Sequence, residues 1–545
     1  MSKKKYVQVG IGSRARMFYE ALASEYKQTC EIAGFCDISQ IRMDYANKIG
    51  HGPTPEETNF VHCPANKFCG VQINPVTKRL IPTAFNVVDT FEKNAKPNRW
   101  LYISETGDDK NPGTFEEPMR TLTNAMQQVK PGTAIRIMPG EYTDHEFMGE
   151  RFENVYGTAE NPIWIGGVPG MERPVLSMIT IAKGAYVIIH DLEIFGPNDK
   201  LWHGIHVNED GSINPEAAHH FVIRGNYVHD VTNSPFKIAG LYHSWYFDNE
   251  IGSGNPMRQS GDIDHVGAHY INAAYNYIWD AVGTGISFKG GSANSNIYGN
   301  LIINGGHAGS HMGQSSGREF FRPAFEAGVT TEAYNIRTYA NIFIGGITPV
   351  VFSSSRDNFA INNTFILPEC FILRILNQNK DPDWYMGGAA SNGTIANNIF
   401  VFDNWPETPF NIGPGTAPET FTFKNNLFFN IHNPGVFPKL HMYINDVCEE
   451  LDKPLSGMDL NSTILQDPLF VNNEAILHAA ALTKKDAASE DERRTRLARI
   501  AAKDLVLSKN SPAKNTGVHF DFVTLDFFGK PFKTDGRSIG ALQFI

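Results

Sequence analysis

Short apolar runs punctuated by polar corners fill the middle of the chain. A strand-like run ends in Asn, and two or three apolar residues follow. The phrase reads Gly225-Asn226-Tyr227-Val228, Asp248-Asn249-Glu250-Ile251, Tyr275-Asn276-Tyr277-Ile278 and Gly299-Asn300-Leu301-Ile302. It returns at Asn341, Asn363, Asn398 and Asn426, so the spacings are 23, 27, 24, 41, 22, 35 and 28 residues. A repeat of that length, carried by short β-runs, predicts stacked coils of parallel strands. Asn suits the corner because it tolerates the left-handed conformation, and identical amides can stack into a hydrogen-bonded ladder.

The pattern changes toward both ends. Residues 6–12 read as a buried strand entering a Gly-rich turn, 13–27 have helical periodicity, and 32–37 form a second strand. Gly10-x-Gly12-x-x-Ala15 followed by Asp37 is the dinucleotide-binding fingerprint in its strand–turn–helix–strand order. The segment resembles the start of the glucose-fructose oxidoreductase/inositol dehydrogenase family, in which Gly10, Gly12 and Asp37 would hold the cofactor. No further βαβ unit follows, and a dinucleotide crevice needs the second half of the sheet. Residues 1–50 are therefore read as a partial Rossmann-like fragment, and NAD(P) binding is not expected. Residues 51–98 are Pro-rich and read as a linker or wrapping segment.

From Trp100 the chain resembles the secreted right-handed parallel β-helix proteins of the pectate-lyase-like superfamily. Leu101-Tyr102-Ile103-Ser104-Glu105-Thr106-Gly107, Asn111-Pro112-Gly113-Thr114 and Pro131-Gly132-Thr133-Ala134 match the N-terminal cap of those proteins, with a capping helix about 121–129 between them. Asp467-Pro468-Leu469-Phe470 and Asp535-Gly536 match their terminal segment. The resemblance implies an all-β fold over 99–545, a right-handed parallel β-helix preceded by a short α/β fragment. A helical insertion is expected at about 475–503, its charges forming a solvated face.

The 545 residues carry 41% hydrophobic and 19% charged side chains, a globular composition. The formal charge of −11, with no basic block beyond the first residues, argues against nucleic acid. Six Cys are too few for a disulfide scaffold. No run reaches the ~18 apolar residues of a membrane span, and no signal peptide is read. The body nevertheless resembles exported bacterial proteins, so the compartment is left open; a monomer is expected.

Counting back eleven residues from each corner Asn places Ile238, His265 and Lys289 in one column, with Lys237 and Asp264 one place earlier. On that register His265 and Lys289 stand on neighbouring coils, about 4.8 Å apart. Such a column cannot be buried without charge partners, so it is expected to face a groove. The 41-residue gap before Asn341 predicts a long loop at about 304–335, and long loops on a solenoid form its binding face.

Residues 203–379 resemble a group of bacterial β-helix proteins taken to act on carbohydrate. The matching text is Asp264-His265-Val266-Gly267-Ala268-His269, Gly285-Ile286-Ser287-Phe288-Lys289-Gly290-Gly291 and Phe320-Phe321-Arg322-Pro323. Three readings follow. A polysaccharide lyase needs a base and a cation beside the uronate carboxylate. By the resemblance Lys289 is the base with His265 beside it, and Arg318 or Arg322 neutralises the carboxylate. Asp262, Asp264 and Glu326 are then the Ca²⁺ ligands. His269, His307, His311, Glu326 and Arg374, with Asp264, would line the substrate. A glycoside hydrolase needs two carboxyl groups instead, and Asp262, Asp264, Asp280, Glu326 and Glu332 are candidates. A binding module would use aromatic platforms such as Trp245 and Tyr270.

Overall fold

The computed structural model describes residues 87–143, 151–195, 203–252 (less 212 and 213), 261–326, 330–378, 389–472 (less 405, 407, 408, 445, 446, 452 and 453) and 504–544. It also describes positions 474, 476 and 479 and the strand backbones at 4–9 and 30–36. Lys4–Val9 and Cys30–Cys36 pair in parallel. Gly10, Gly12 and Asp37, and most of the insertion at 475–503, lie outside the described residues.

Each coil of the right-handed parallel β-helix contributes one strand to each of three sheets. In one coil these are Gly261–Val266 in sheet A, His269–Ala274 in sheet B and Tyr277–Trp279 in sheet C. Among the described residues sheet C has 11 strands. All strand pairing between successive coils is parallel among the described residues, until Leu440–Ile444 meets Val447–Glu450 antiparallel at the far end. The near end is covered by the short helix Leu122–Gln127, whose N-cap Thr121 accepts the Asn124 N–H at 3.1 Å. Leu122 and Ala125 pack there on Leu101 and Ile135, hiding apolar surface that an open coil would expose.

The Asn ladder forms without a break. The side-chain amide of each Asn donates to the Oδ1 of the next, from Asn226 through Asn249, Asn276, Asn300, Asn341, Asn363 and Asn398 to Asn426, at 2.9–3.1 Å. The same Oδ1 also accepts the backbone N–H of the Asn below it. The left-handed residue is the one before each Asn, as at Asp248 (φ 54°), Tyr275 (φ 52°) and Asn362 (φ 53°). That sharp corner turns the Asn side chain inward along the stack; the expected role of Asn as the left-handed residue is thus shifted by one position.

Inside the coils, Phe343, Phe365, Phe400 and Phe428 stack with centroids 5.1, 4.7 and 4.8 Å apart. Burying each such ring is worth about 1.5–3 kcal/mol. The outer face of sheet C is also apolar and is covered by the C-terminal segment, where Leu505, Phe527, Ile539 and Leu542 pack on Ile344, Ile366 and Val401. Asn362 and Asn397 hold that segment by donating to the carbonyls of Ser538 and Val518. Among the described residues no helix is long and apolar enough to cross a membrane.

Candidate active site

The outer face of sheet A carries a polar column. Strand pairing places Thr180, His206, Lys237, Asp264, Ser287, His311, Val351 and Arg374 in line on successive coils. The inward column beside it is Ile238, His265, Phe288, Met312 and Phe352. Alternation along a strand sends the two columns to opposite faces.

His265 therefore faces the core and not a groove. It is fully buried, stacks on Phe288 with centroids 3.9 Å apart, and donates from Nδ1 to the Ser287 carbonyl at 2.8 Å. Burial pushes its pKa down to about 4, so it is neutral. The predicted pairing of His265 with Lys289 is corrected as well, because Lys289 stands opposite Val266. Sheet A advances 23 residues between these coils (Asp264 to Ser287) and sheet B advances 24 (His269 to Ala293). The extra residue sits in the corner Gly290-Gly291, where both residues have positive φ, 64° and 82°.

Asp264 is the centre of the site. It is 4% exposed, and its Oδ1 takes Lys289 Nζ at 3.0 Å and the Ser287 hydroxyl at 3.0 Å. Its Oδ2 takes Lys237 Nζ at 2.5 Å. Burial alone would push the Asp264 pKa up, but the Lys289 and Lys237 ammonium groups outweigh it and hold the carboxyl well below its usual range. Two cations thus share one carboxylate. Lys237 was absent from the expected site, although the eleven-residue count had put it in line with Asp264.

Near Lys289 lies a buried polar ring without hydrogen-bond partners. Both nitrogens of the His311 ring are in this state. Burial and the nearby Lys289 and Arg374 charges hold His311 at about 3, hence neutral. Leaving such groups unpaired costs about 1–3 kcal/mol each.

The other expected residues fall elsewhere. Arg322 is locked on Glu209, at 2.9 Å from Nε and 2.7 Å from Nη2, rather than free for a substrate carboxylate. Arg318 lays its guanidinium over the Phe325 ring at 5.3 Å. His269 is buried, stacks on Tyr242 and donates to the Arg322 carbonyl at 2.7 Å. His307 and Glu326 are exposed. Arg374 shares the column but donates to Asn411 Oδ1 at 2.9 Å and covers the Phe371 ring. Asp262 is buried, and burial with the neighbouring Asp280 raises its pKa well above the usual value. Glu332 is buried and accepts the backbone N–H groups of Gly290 and Ser316.

Calcium does not fit this donor set. Both Asp264 oxygens already carry ammonium groups, burial disfavours the charged form of Asp262 and Glu326 is exposed, whereas calcium wants six or more convergent oxygens. Among the described residues no three His, Cys, Asp or Glu side chains converge as a metal site.

A family model described as a protein of unknown function, DUF1565, matches residues 105–156. The chain is 34% identical over 96 residues to the uncharacterized protein YwoF of Bacillus subtilis (strain 168), covering 17% of this chain and 19% of that one. Thus the match spans about a fifth of the curated relative. Among solved structures, the GH136 lacto-N-biosidase from Eubacterium ramulus is 14% identical over 61% of this chain and 64% of its own, with a TM-score of 0.36. Pectate lyase Pel9A is 13% identical over 83% of this chain and 98% of its own, with a TM-score of 0.34. Similarity at that level leaves the chemistry to be argued from the site itself.

Proposed function

We propose that this chain processes carbohydrate, as a lyase that cleaves a uronate-containing glycan by β-elimination at the outer face of sheet A. The observation that carries the reading is the pair of lysines, Lys237 and Lys289, on one ionised carboxylate near the buried, unpartnered His311 ring. With both lysines protonated the cluster draws a substrate carboxylate toward its ammonium groups, and Lys289 enters the reaction after releasing a proton to solvent. β-Elimination removes the proton on the carbon that bears the carboxylate. The freed electron pair forms the C=C bond, the bond to the leaving sugar oxygen breaks, and that oxygen takes up a proton. The transient negative charge gathers on the carboxylate, where a fixed ammonium group stabilises it.

Lys289 is assigned as the base, acting as the free amine, because it stands on Asp264 near the buried, unpartnered His311 ring. Lys237 is assigned to the carboxylate. Asp264 is a poor candidate for a hydrolytic base: a carboxyl held that far below its usual range has little affinity for a proton.

The test is incubation with soluble polyuronates. Wild-type protein is expected to release an unsaturated product absorbing in the near ultraviolet, and Lys289→Ala is expected to abolish it with the fold intact. Reducing ends formed without that absorbance would replace elimination by hydrolysis. Binding without cleavage would leave a carbohydrate-binding module.

A further inference from the structure

Among the described residues the long loop after His307 is fastened by one buried ion pair, and that fastening reaches the backbone of the residue next to Lys289. Glu209 directly follows the sheet A strand Ile205–Asn208 and is 2% exposed, with its Oε1 on the Arg322 guanidinium. Two glycine corners make room for the pair. A Cβ on Gly240 would sit 2.0 Å from Glu209 Oε2, and one on Gly267 would sit 2.4 Å from Arg322 Cγ. Arg322 also pins its own loop, donating from Nη1 to the carbonyls of Glu319 and Phe321 at 2.9 and 3.0 Å.

The backbone of Arg322 then meets Gly290. Its N–H donates to the Gly290 carbonyl at 2.9 Å, and its own carbonyl accepts His269 Nε2. From the other side, Glu332 accepts the Gly290 N–H at 2.8 Å. Both polar groups of Gly290 are therefore tied to the loop. Gly290 has φ 64° and no side chain, so these ties are what restrain it.

We infer that Glu209 is a positioning residue for Lys289, acting through Arg322 and the Gly290 backbone to hold the Lys289 amino group against Asp264. The inference rests on the lysine site proposed above, yet the fastening itself is readable without a substrate. Misplacing a catalytic group by about 1 Å costs on the order of 10²-fold in rate.

The experiment compares wild type, Glu209→Ala and Arg322→Lys by three measurements. Amide hydrogen exchange is followed at Gly290 and Phe320–Arg322, Lys289 acetylation by acetic anhydride is followed by peptide mass spectrometry against pH, and turnover is followed on polygalacturonate and alginate. Both variants are expected to exchange faster at Gly290 and to shift the pH profile of Lys289 labelling. Turnover is expected to fall about 10²-fold in kcat with KM little changed, since sugar contacts remain. Arg322→Lys keeps the charge and serves if Glu209→Ala does not fold. Unchanged exchange and labelling at 289–290 in a folded variant overturn the inference. Altered labelling in a chain whose wild type cleaves no polyuronate overturns the lyase reading and leaves the positioning role standing.

Discussion

Replacing Asn276 by Ala removes one rung from the middle of the ladder. Its Oδ1 accepts both the backbone N–H and the side-chain amide of Asn249, at 3.2 and 2.9 Å. Its own amide donates to the Tyr246 carbonyl at 2.9 Å and to Asn300 Oδ1 at 3.0 Å. Asn300 Oδ1 keeps a second donor, the Asn276 N–H at 2.9 Å. Three buried groups are thus left unmet: the Asn249 N–H, one Asn249 amide hydrogen and the Tyr246 carbonyl. At about 1–3 kcal/mol for each orphaned group, the expected loss is about 4 kcal/mol, with partial relief if water enters the space. Coils couple mainly to their neighbours, so the loss should be felt locally and can split the unfolding transition. The assay is urea unfolding followed by far-ultraviolet circular dichroism, with hydrogen exchange at 223–251 and 273–302. Asn272→Ala is the control, because it loses only a part-buried amide contact from Asn296 and should cost under about 1 kcal/mol. If Asn276→Ala costs no more than Asn272→Ala, the ladder does not hold the coils together and the reasoning fails.

Acid is expected to destabilise the fold. Unfolded histidine takes up a proton near 6.5, but burial keeps folded His265 neutral to about 4 and His311 to about 3. Stability is then whole above about pH 6.5 and drains as pH falls toward 4, with roughly 3 kcal/mol from His265 alone at the full shift. Urea midpoints across that window should fall steeply, and His265→Phe should flatten the fall. Gly267→Ala should cost at least the ~1–2 kcal/mol of a side chain at φ 60°, because the new Cβ also strikes Arg322; a wild-type melting temperature would count against the loop packing described. Asp264→Asn should destabilise the fold by leaving two ammonium groups without their anion, and Lys237→Met should recover part of that loss. Additive effects in the double variant would deny the coupling.

Much of the coil architecture could be read before any coordinates. The Asn spacing located the corners, but the loop expected at about 304–335 is shorter, because Ala308–Gly313 and Ala333–Tyr339 are strands; Arg322 and Glu332 lie between them. The count from the corners also aligned Lys237 with Asp264, a pairing the structure places in contact. It failed one coil later, since an additional corner residue is silent in a one-dimensional count. Gly290-Gly291 looks like any glycine turn, and only the strand pairing reveals that it holds one residue more than the corner at Gly267. That slip exchanged an inward position for an outward one and turned a core histidine into an apparent groove residue.

By itself, the order of residues determined that this chain stacks coils, where they turn, and which stretch is rich in ionisable groups. These are local properties: period, turn chemistry and the need to bury alternate side chains. Only the tertiary structure decided which charges meet. Lys237 and Lys289 lie 52 residues apart and share Asp264, and Glu209 holds Arg322 across 113 residues. Such contacts depend on coil length and corner geometry accumulated over several turns, and a single inserted residue changes every partner on the face.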